Sequence, residues 1–342
     1  MKKILLCIWG IITLSSCHIY RAYERPDIDV SDSLYRQSVP IADTTSLASL
    51  SWKELFTDPQ LQQLIETGLN NNTDLGIAYL KVKEAEALLM TSRLAYLPAV
   101  SFTPQGSVSS LDGAKATKTY DLAISADWEI DIFGKLLNAK RGAKAAIEQS
   151  EAYRQAVQTQ LVATIANSYY SLLMLDEQLR ITRRTADTWN ENVRAMKALK
   201  RAGQTTEMAV AQTEASKLSV ESSILSLEQQ INEMENSLST LLGMNPQEIG
   251  RSTLDAQVFP DSISTGVPLQ LLSRRPDIKQ SEAQLATAYY ATNAARSAFY
   301  PNITLSGSAG WTNAGGAAIT NPGQWLLSAA HWCSRYLIEG KT

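Results

Sequence analysis

Tyr120-Asp121-Leu122-Ala123-Ile124-Ser125-Ala126-Asp127-Trp128-Glu129-Ile130-Asp131-Ile132 alternates two kinds of residue. The even positions are aromatic or aliphatic. The odd positions are acidic or small. A period of two puts the two sets on opposite faces of a strand. Leu122, Ile124, Ala126, Trp128 and Ile130 share one face, and Asp121, Ser125, Asp127 and Glu129 share the other. The length suits a tilted membrane strand of about 9–11 residues. It suits a hairpin on a soluble sheet equally well. Upstream, Val100, Phe102, Pro104, Gly106 and Val108 alternate with Ser101, Thr103, Gln105, Ser107 and Ser109, and a Gly/Ser/Lys-rich stretch at 110–119 joins the two runs. Asp127, Glu129 and Asp131 invite comparison with a calcium loop, but their spacing lines one strand face instead of wrapping a turn. No metal site is expected there.

On both sides the rhythm is helical. Trp52, Leu55 and Phe56 lie on one side of a short helix, and Asp58-Pro59 restarts the chain as N-cap and first helical residue. Asn70-Asn71-Asn72 marks a break, and Asp74 opens a longer helix ending near Leu97, before Pro98. No proline occurs from 135 to 245. A helix from Lys135 to Lys200 would run about 100 Å. Gly203 supplies a turn, and a second helix spans about Thr205 to Leu242. Leu218/Leu225, Ile224/Ile231/Leu238 and Leu227/Met234/Leu241 recur at heptad spacing, which predicts coiled-coil packing. Arg274-Arg275-Pro276-Asp277 opens a further helix running toward Arg296.

That last helix reveals a repeat. Arg93-Leu94-Ala95-Tyr96-Leu97-Pro98 is followed by an alternating strand, and so is Arg296-Ser297-Ala298-Phe299-Tyr300-Pro301, 203 residues later. The spacing is too long for a solenoid and fits two tandem halves.

Composition narrows the function. The chain has 342 residues and a formal net charge of −3, so no large basic field recommends nucleic acid as a partner. Two His and three Cys cannot build a multi-histidine metal centre or a disulfide framework. No Gly-rich phosphate loop and no serine with a histidine base is legible, so an enzyme is not expected. Lys2-Lys3, an apolar run from Ile4 to Leu14, and Leu14-Ser15-Ser16-Cys17 read as an export signal, with a plain membrane anchor as the alternative.

These motifs together resemble the outer membrane efflux proteins of the TolC-like superfamily, in particular the NodT-like lipoprotein branch that serves resistance-nodulation-division pumps as exit ducts. The resemblance rests on Leu14-Ser15-Ser16-Cys17, on Trp52 with Phe56, on Asp127 through Lys135, on Ser273 through Ile278 with Glu282-Ala283-Gln284-Leu285, and on Ala294 through Gly310. It implies a mainly α fold with membrane β-strands: a long coiled-coil helical tunnel, and strands contributed to a trimeric transmembrane barrel of twelve strands. It implies cleavage before Cys17 and acylation of that residue, which would hold the protein to the bilayer. The implied partners are two further copies of the chain, a periplasmic adaptor, an inner-membrane pump and the exported small molecules, with no cofactor. The helix turn at Arg201, Gly203, Gln204 and Thr205 would be the periplasmic tip, and Arg274, Arg275, Pro276 and Asp277 the family motif. An ordinary exposed helix turn is the bland alternative for the tip.

The expected organisation follows. Residues 1–16 form the signal peptide and 17–46 a lipidated arm. Residues 47–97 supply equatorial and ascending helices, 98–133 an outer-membrane hairpin, and 134–243 a long periplasmic helical hairpin. Residues 244–300 hold a linker and the ascending helix of the second repeat, 301–312 the third membrane strand, and 313–342 a loop and an aberrant tail. By the family pattern Trp325-Leu326-Leu327 leads into a fourth strand, whereas Ala330 through Thr342 departs from it. Two bases downstream, the nucleotides for His331–Lys341 can encode Leu-Val-Gln-Pro-Leu-Phe-Asn-Arg-Gly-Lys, which resembles the family's fourth-strand junction. A frameshift is the expected explanation. A chain with only three strands is not expected to build a normal twelve-stranded pore. Two other functions remain open: an exit duct for type I protein secretion, and a surface lipoprotein with a coiled-coil stalk.

Overall fold

The computed structural model describes residues 20–26, 51–110, 112–113, 115–258 and 275–312, and the backbone of 324–334. The export signal, Cys17, most of the arm and Arg274 lie outside the described residues. The fold is mainly helical with one small antiparallel sheet. In chain order the elements are α1 (Trp52–Leu55), α2 (Pro59–Asn71), α3 (Thr73–Leu94), β1 (Ala99–Ser109), β2 (Thr117–Ile130), α4 (Lys135–Arg201), α5 (Glu207–Leu241), α6 (Pro276–Ser297), β3 (Asn302–Thr312) and β4 (Gln324–Ser334). The chain divides into two compact units.

One unit comprises residues 30–80 and 153–276. Its core is built by Leu61, Ile65, Leu161, Ile165, Tyr169, Leu172, Leu173, Leu238, Leu242 and Ile249. Each fully buried aliphatic side chain there contributes about 1.5–3 kcal/mol. α2 starts where Asp58 accepts the Gln60 amide at 2.9 Å and Pro59 takes the first helical position. It stops at Asn72, whose side chain donates to the Leu241 carbonyl and accepts the Leu75 amide, both at 2.9 Å. One residue thus ends α2, opens α3 and ties both to α5. Of the three heptad stripes on α5, Ile231 and Leu238 are buried, and Leu227, Met234 and Leu241 pack on the core. Leu218 and Leu225 face outward instead, 62% and 68% exposed. Heptad spacing marks a seam but does not say which partner closes it.

The other unit comprises 1–29, 81–152 and 277–342, and it holds the sheet. The strands form a meander in the order β1-β2-β3-β4, with every pair antiparallel. Strand β4 occupies residues that the sequence reading gave to a loop and an aberrant tail. Its alternation is poor (Trp325-Leu326-Leu327 is apolar throughout), yet it pairs with β3 over eleven registered positions from Gln324 to Ser334. The ladder joins backbone groups, and the free edge of β3 supplies a full row of them whatever side chains follow. The chain therefore carries four strands, not three.

The repeat is visible in the element bounds. Helix Thr73–Leu94 and strand Ala99–Ser109 recur as Pro276–Ser297 and Asn302–Thr312, each boundary 203 residues on.

Candidate functional site

The sheet sorts its side chains by register. Ser101 pairs with Ser125, which pairs with Ser308; Ala99 pairs with Asp127, which pairs with Ser306; Gln105 pairs with Asp121, which pairs with Thr312. Glu129 lies opposite Thr304 on the same face. That face is polar along its length. The Ser101 and Ser125 hydroxyls are 2.7 Å apart, Ser107 and Thr119 are 2.6 Å apart, and Ser306 donates to the Asp127 carboxylate at 2.5 Å. The opposite face carries Val100, Phe102 and Val108, then Leu122, Ile124, Ala126, Trp128 and Ile130, then Ile303, Leu305, Ala309 and Trp311. Val100, Phe102 and Val108 are more than 60% exposed, and Ile124 is 53% exposed.

The end of β2 is a joint. Asp131 has left the strand, which ends at Ile130, and does not extend the polar face. Its carboxylate accepts the amides of Leu136 and Leu137 at 3.1 and 2.7 Å and so caps α4. Glu129 pairs with Lys135 at 2.9 Å, so its charge is spent at this joint. Gly134, at φ +73°, makes the turn between strand and helix. The Trp128 indole donates to the Tyr96 carbonyl at 2.9 Å. Phe133 stacks on Tyr300 with ring centroids 4.9 Å apart, and Ser297 donates to the Phe133 carbonyl at 3.2 Å. The junctions after α3 and α6 therefore both meet the joint.

Residues 20–26 lie along α6. The Tyr23 amide donates to the Tyr290 hydroxyl at 3.1 Å, the Tyr289 hydroxyl donates to the Arg21 carbonyl at 3.2 Å, and Arg25 meets Glu282 at 3.4 Å. Sequence reading gave only an extended arm here. The tyrosines on both sides were its one available signal.

The turn between α4 and α5 contains Arg201, Gly203, Gln204 and Thr205. The Gly203 amide donates to the Lys200 carbonyl at 3.0 Å, and the Gln204 amide to the Leu199 carbonyl at 2.9 Å. Gly203 has φ +76°, the left-handed conformation that this helix ending requires. The Thr206 hydroxyl caps α5 by accepting the Ala209 amide at 3.3 Å. Lys197 pairs with Glu214 at 2.6 Å, Arg183 with Glu228 at 2.7 Å, and Lys200 with Glu207. These exposed pairs contribute about 0–1 kcal/mol each. Their main effect is to hold the hairpin in register.

Two polar clamps, neither legible in the sequence, fix the segment after α5. Asp58 accepts from Tyr169 at 2.6 Å, from Gln257 at 2.8 Å and from Ser252. Burial opposes the Asp58 charge, but the hydrogen bonds from Ser252, Tyr169, Gln257 and the Gln60 amide outweigh it and hold the carboxyl at about 2. Arg251 grips Asp176 through two nitrogens, at 2.5 and 2.9 Å, and Glu235 through a third contact at 2.5 Å. The Asp176 bond acts against burial, and with Glu235 it pushes the guanidinium above its usual value. Of the motif Arg274-Arg275-Pro276-Asp277, Pro276 is the first residue of α6 and Asp277 accepts the Ile278 amide at 3.0 Å. Among the described residues no group of three or more His, Cys, Asp or Glu is placed to hold a metal ion, and no helix is long and apolar enough to cross a membrane.

Comparison with known proteins agrees with this architecture. The family Outer membrane efflux protein matches residues 64–244 and 267–329. The chain is 30% identical over 324 residues to the probable efflux pump outer membrane protein TtgC of Pseudomonas putida, covering 90% of this chain and 66% of that protein. It is 31% identical over 313 residues to the probable outer membrane lipoprotein SilC of Salmonella typhimurium, covering 89% and 67%. The chain thus spans just under two thirds of the length of TtgC. Among solved structures, the outer-membrane channel OprN superposes with a TM-score of 0.79 at 25% identity, over 93% of this chain and 73% of that one. The open state of the Neisseria gonorrhoeae MtrE outer membrane channel superposes with a TM-score of 0.78 at 27% identity, over 94% and 73%. With more than half its residues matched and its fold shared, the chain belongs to the outer membrane efflux protein family.

Proposed function

We propose that this chain is a subunit of an outer-membrane exit duct through which a tripartite efflux system exports small molecules. The observation that carries the reading is the sheet: one polar face, one apolar face, and free edges on β1 and β4. In a bilayer, free strand edges are costly, and closure into a barrel removes them. A meander with an even number of strands keeps antiparallel pairing when β4 of one copy meets β1 of the next. Three copies of four strands give a twelve-stranded barrel.

In that barrel Leu122, Ile124, Ala126, Trp128 and Ile130 face lipid, and Asp121, Ser125 and Asp127 face the water-filled lumen. Glu129 stands at the rim with Lys135. Transport through the duct is passive: water and the exported solute pass a polar wall, no bond is made or broken, and the energy comes from the inner-membrane pump. The tandem repeat supplies two similar helix-and-strand units per copy. The α4–α5 turn, with Arg201, Gly203, Gln204 and Thr205, is the periplasmic tip that meets the adaptor. Acylated Cys17 attaches the start of the chain to the bilayer, in line with the likeness to SilC, itself named a probable lipoprotein. Similar proteins are named for the efflux of toluene and antibiotics and for pyoverdine export, which makes varied small organic molecules the substrate class.

The test is to purify the chain from outer membranes in detergent, measure its mass, and record conductance in planar bilayers. A trimer that forms water-filled channels is expected. A soluble monomer without channel activity would overturn the reading.

A further inference from the structure

The two repeats use their helices differently. Position for position, α3 residues Lys83, Ala87, Met90 and Leu94 correspond to α6 residues Ala286, Tyr290, Asn293 and Ser297. In α6 this stripe is covered: Ala286, Asn293 and Ser297 are 8%, 2% and 2% exposed. It packs on the start of α4. A Cβ at Gly142 would sit 3.4 Å from the Tyr290 Cβ, and Ser297 bonds the Phe133 carbonyl. In α3 the same stripe faces outward, with Met90 54% and Leu94 51% exposed. The other face reverses the pattern. Val82, Ala85 and Leu89 of α3 are buried, while their α6 counterparts Leu285, Ala288 and Thr292 are exposed, Leu285 by 54%. Each helix thus buries the face that its counterpart leaves open.

We infer that the Lys83–Ala87–Met90–Leu94 face of α3 docks the second repeat of another copy of this chain, head to tail. Equivalent helices in a tandem repeat are flanked equivalently once the ring is complete. α6 already shows what the open face of α3 receives: a helix that follows a strand of the preceding repeat. For the first repeat of one copy, the preceding repeat is the second repeat of its neighbour. The occupant is therefore not a different protein. The residue types agree, because Ala87, Met90 and Leu94 leave an apolar surface with a single long cationic chain, Lys83, whose stem can cover apolar neighbours. A heterologous contact of this kind closes into a ring only when its rotation permits, which ties the face to barrel closure. The inference rests on the exit-duct reading and adds the surface through which copies join.

A photoreactive side chain placed at Met90 in the full chain tests it. The expected product after illumination is an adduct of two copies, with the partner peptide mapping to residues 276–334. In parallel, Met90→Glu with Leu94→Glu should lower the assembled fraction about tenfold or more, because docking would bury unpaired charge. The melting of the unassembled chain should not change, since both positions are exposed in it. If the chain assembles and conducts but gives no two-copy adduct, or assembles normally with both glutamates, the docking face is wrong and the duct reading stands. If the unmodified chain never assembles, both are wrong.

Discussion

The Asp131 carboxylate lies 2.7 Å from the Leu137 amide and 3.1 Å from that of Leu136, so the residue that ends the alternating strand also starts the 67-residue helix. Strand and helix are joined by one side chain and one glycine. Asp131→Ala removes both bonds and should cost about 0.5–2 kcal/mol. Hydrogen exchange should rise in the first turn of α4 and stay unchanged at the α4–α5 tip. Asp131→Asn keeps an acceptor and should cost less. Equal exchange in all three proteins would count against the cap.

Gly310 is held against β2. A Cβ there would lie 2.7 Å from the Ala123 Cα and would run into the Leu122 carbonyl. Backbone cannot yield as a side-chain tip can. Gly310→Val should cost about 1–3 kcal/mol and loosen the β2–β3 pairing. Gly76, which has nothing near it, is the control, since its replacement by alanine should be harmless. Loss of the heat-resistant form on gels for Gly310→Val alone is the expected result.

Asp58 predicts a pH dependence. Its carboxyl is depressed from 3.8 to about 2 in the folded protein. A depressed carboxyl stabilises the fold above its unfolded value and loses that contribution as pH falls through the folded one. The gap in melting temperature between the wild type and Asp58→Asn should therefore be full at pH 7 and shrink between about pH 4 and pH 2. A gap that widens on acidification would contradict the clamp.

Arg251 neutralises two carboxylates, one of them on Glu235, whose side chain is only 9% exposed. Arg251→Met leaves both acids without their cation and should cost about 3–5 kcal/mol. Arg251→Lys should recover little of this, because an ammonium cannot reproduce the two-nitrogen grip on Asp176. Urea unfolding of the two variants would measure the difference.

The sequence announced what depends on near neighbours. The period of two in β2 is a local pattern, and so are the Asp58-Pro59 helix start, the Gly203 turn and the helix-to-strand junction that exposes the repeat. Asp131 was misplaced for the same reason: it continues the alternation, and only the turn at Gly134 takes it out of the strand. The clamps were illegible because their members stand far apart in the chain, with Arg251 meeting a residue 75 positions away and Asp58 meeting one 199 positions away. Strand β4 was missed because β3 recruits it through the backbone. The heptads of α5 were seen, but spacing could not say that Leu218 and Leu225 point outward. The opposite burial of α3 and α6 was hidden as well, since equivalent positions carry different residue types.

The most direct test of the central claim compares two neighbouring positions of β2. Ser125→Cys and Ile124→Cys would each be made with Cys333→Ser, and labelled in intact outer membranes with a water-soluble, membrane-impermeant thiol reagent. The barrel account predicts fast labelling at 125 and protection at 124, where only a lipid-soluble reagent should react. Equal labelling of both positions by the water-soluble reagent would show the apolar face in water, and would contradict a membrane-spanning sheet.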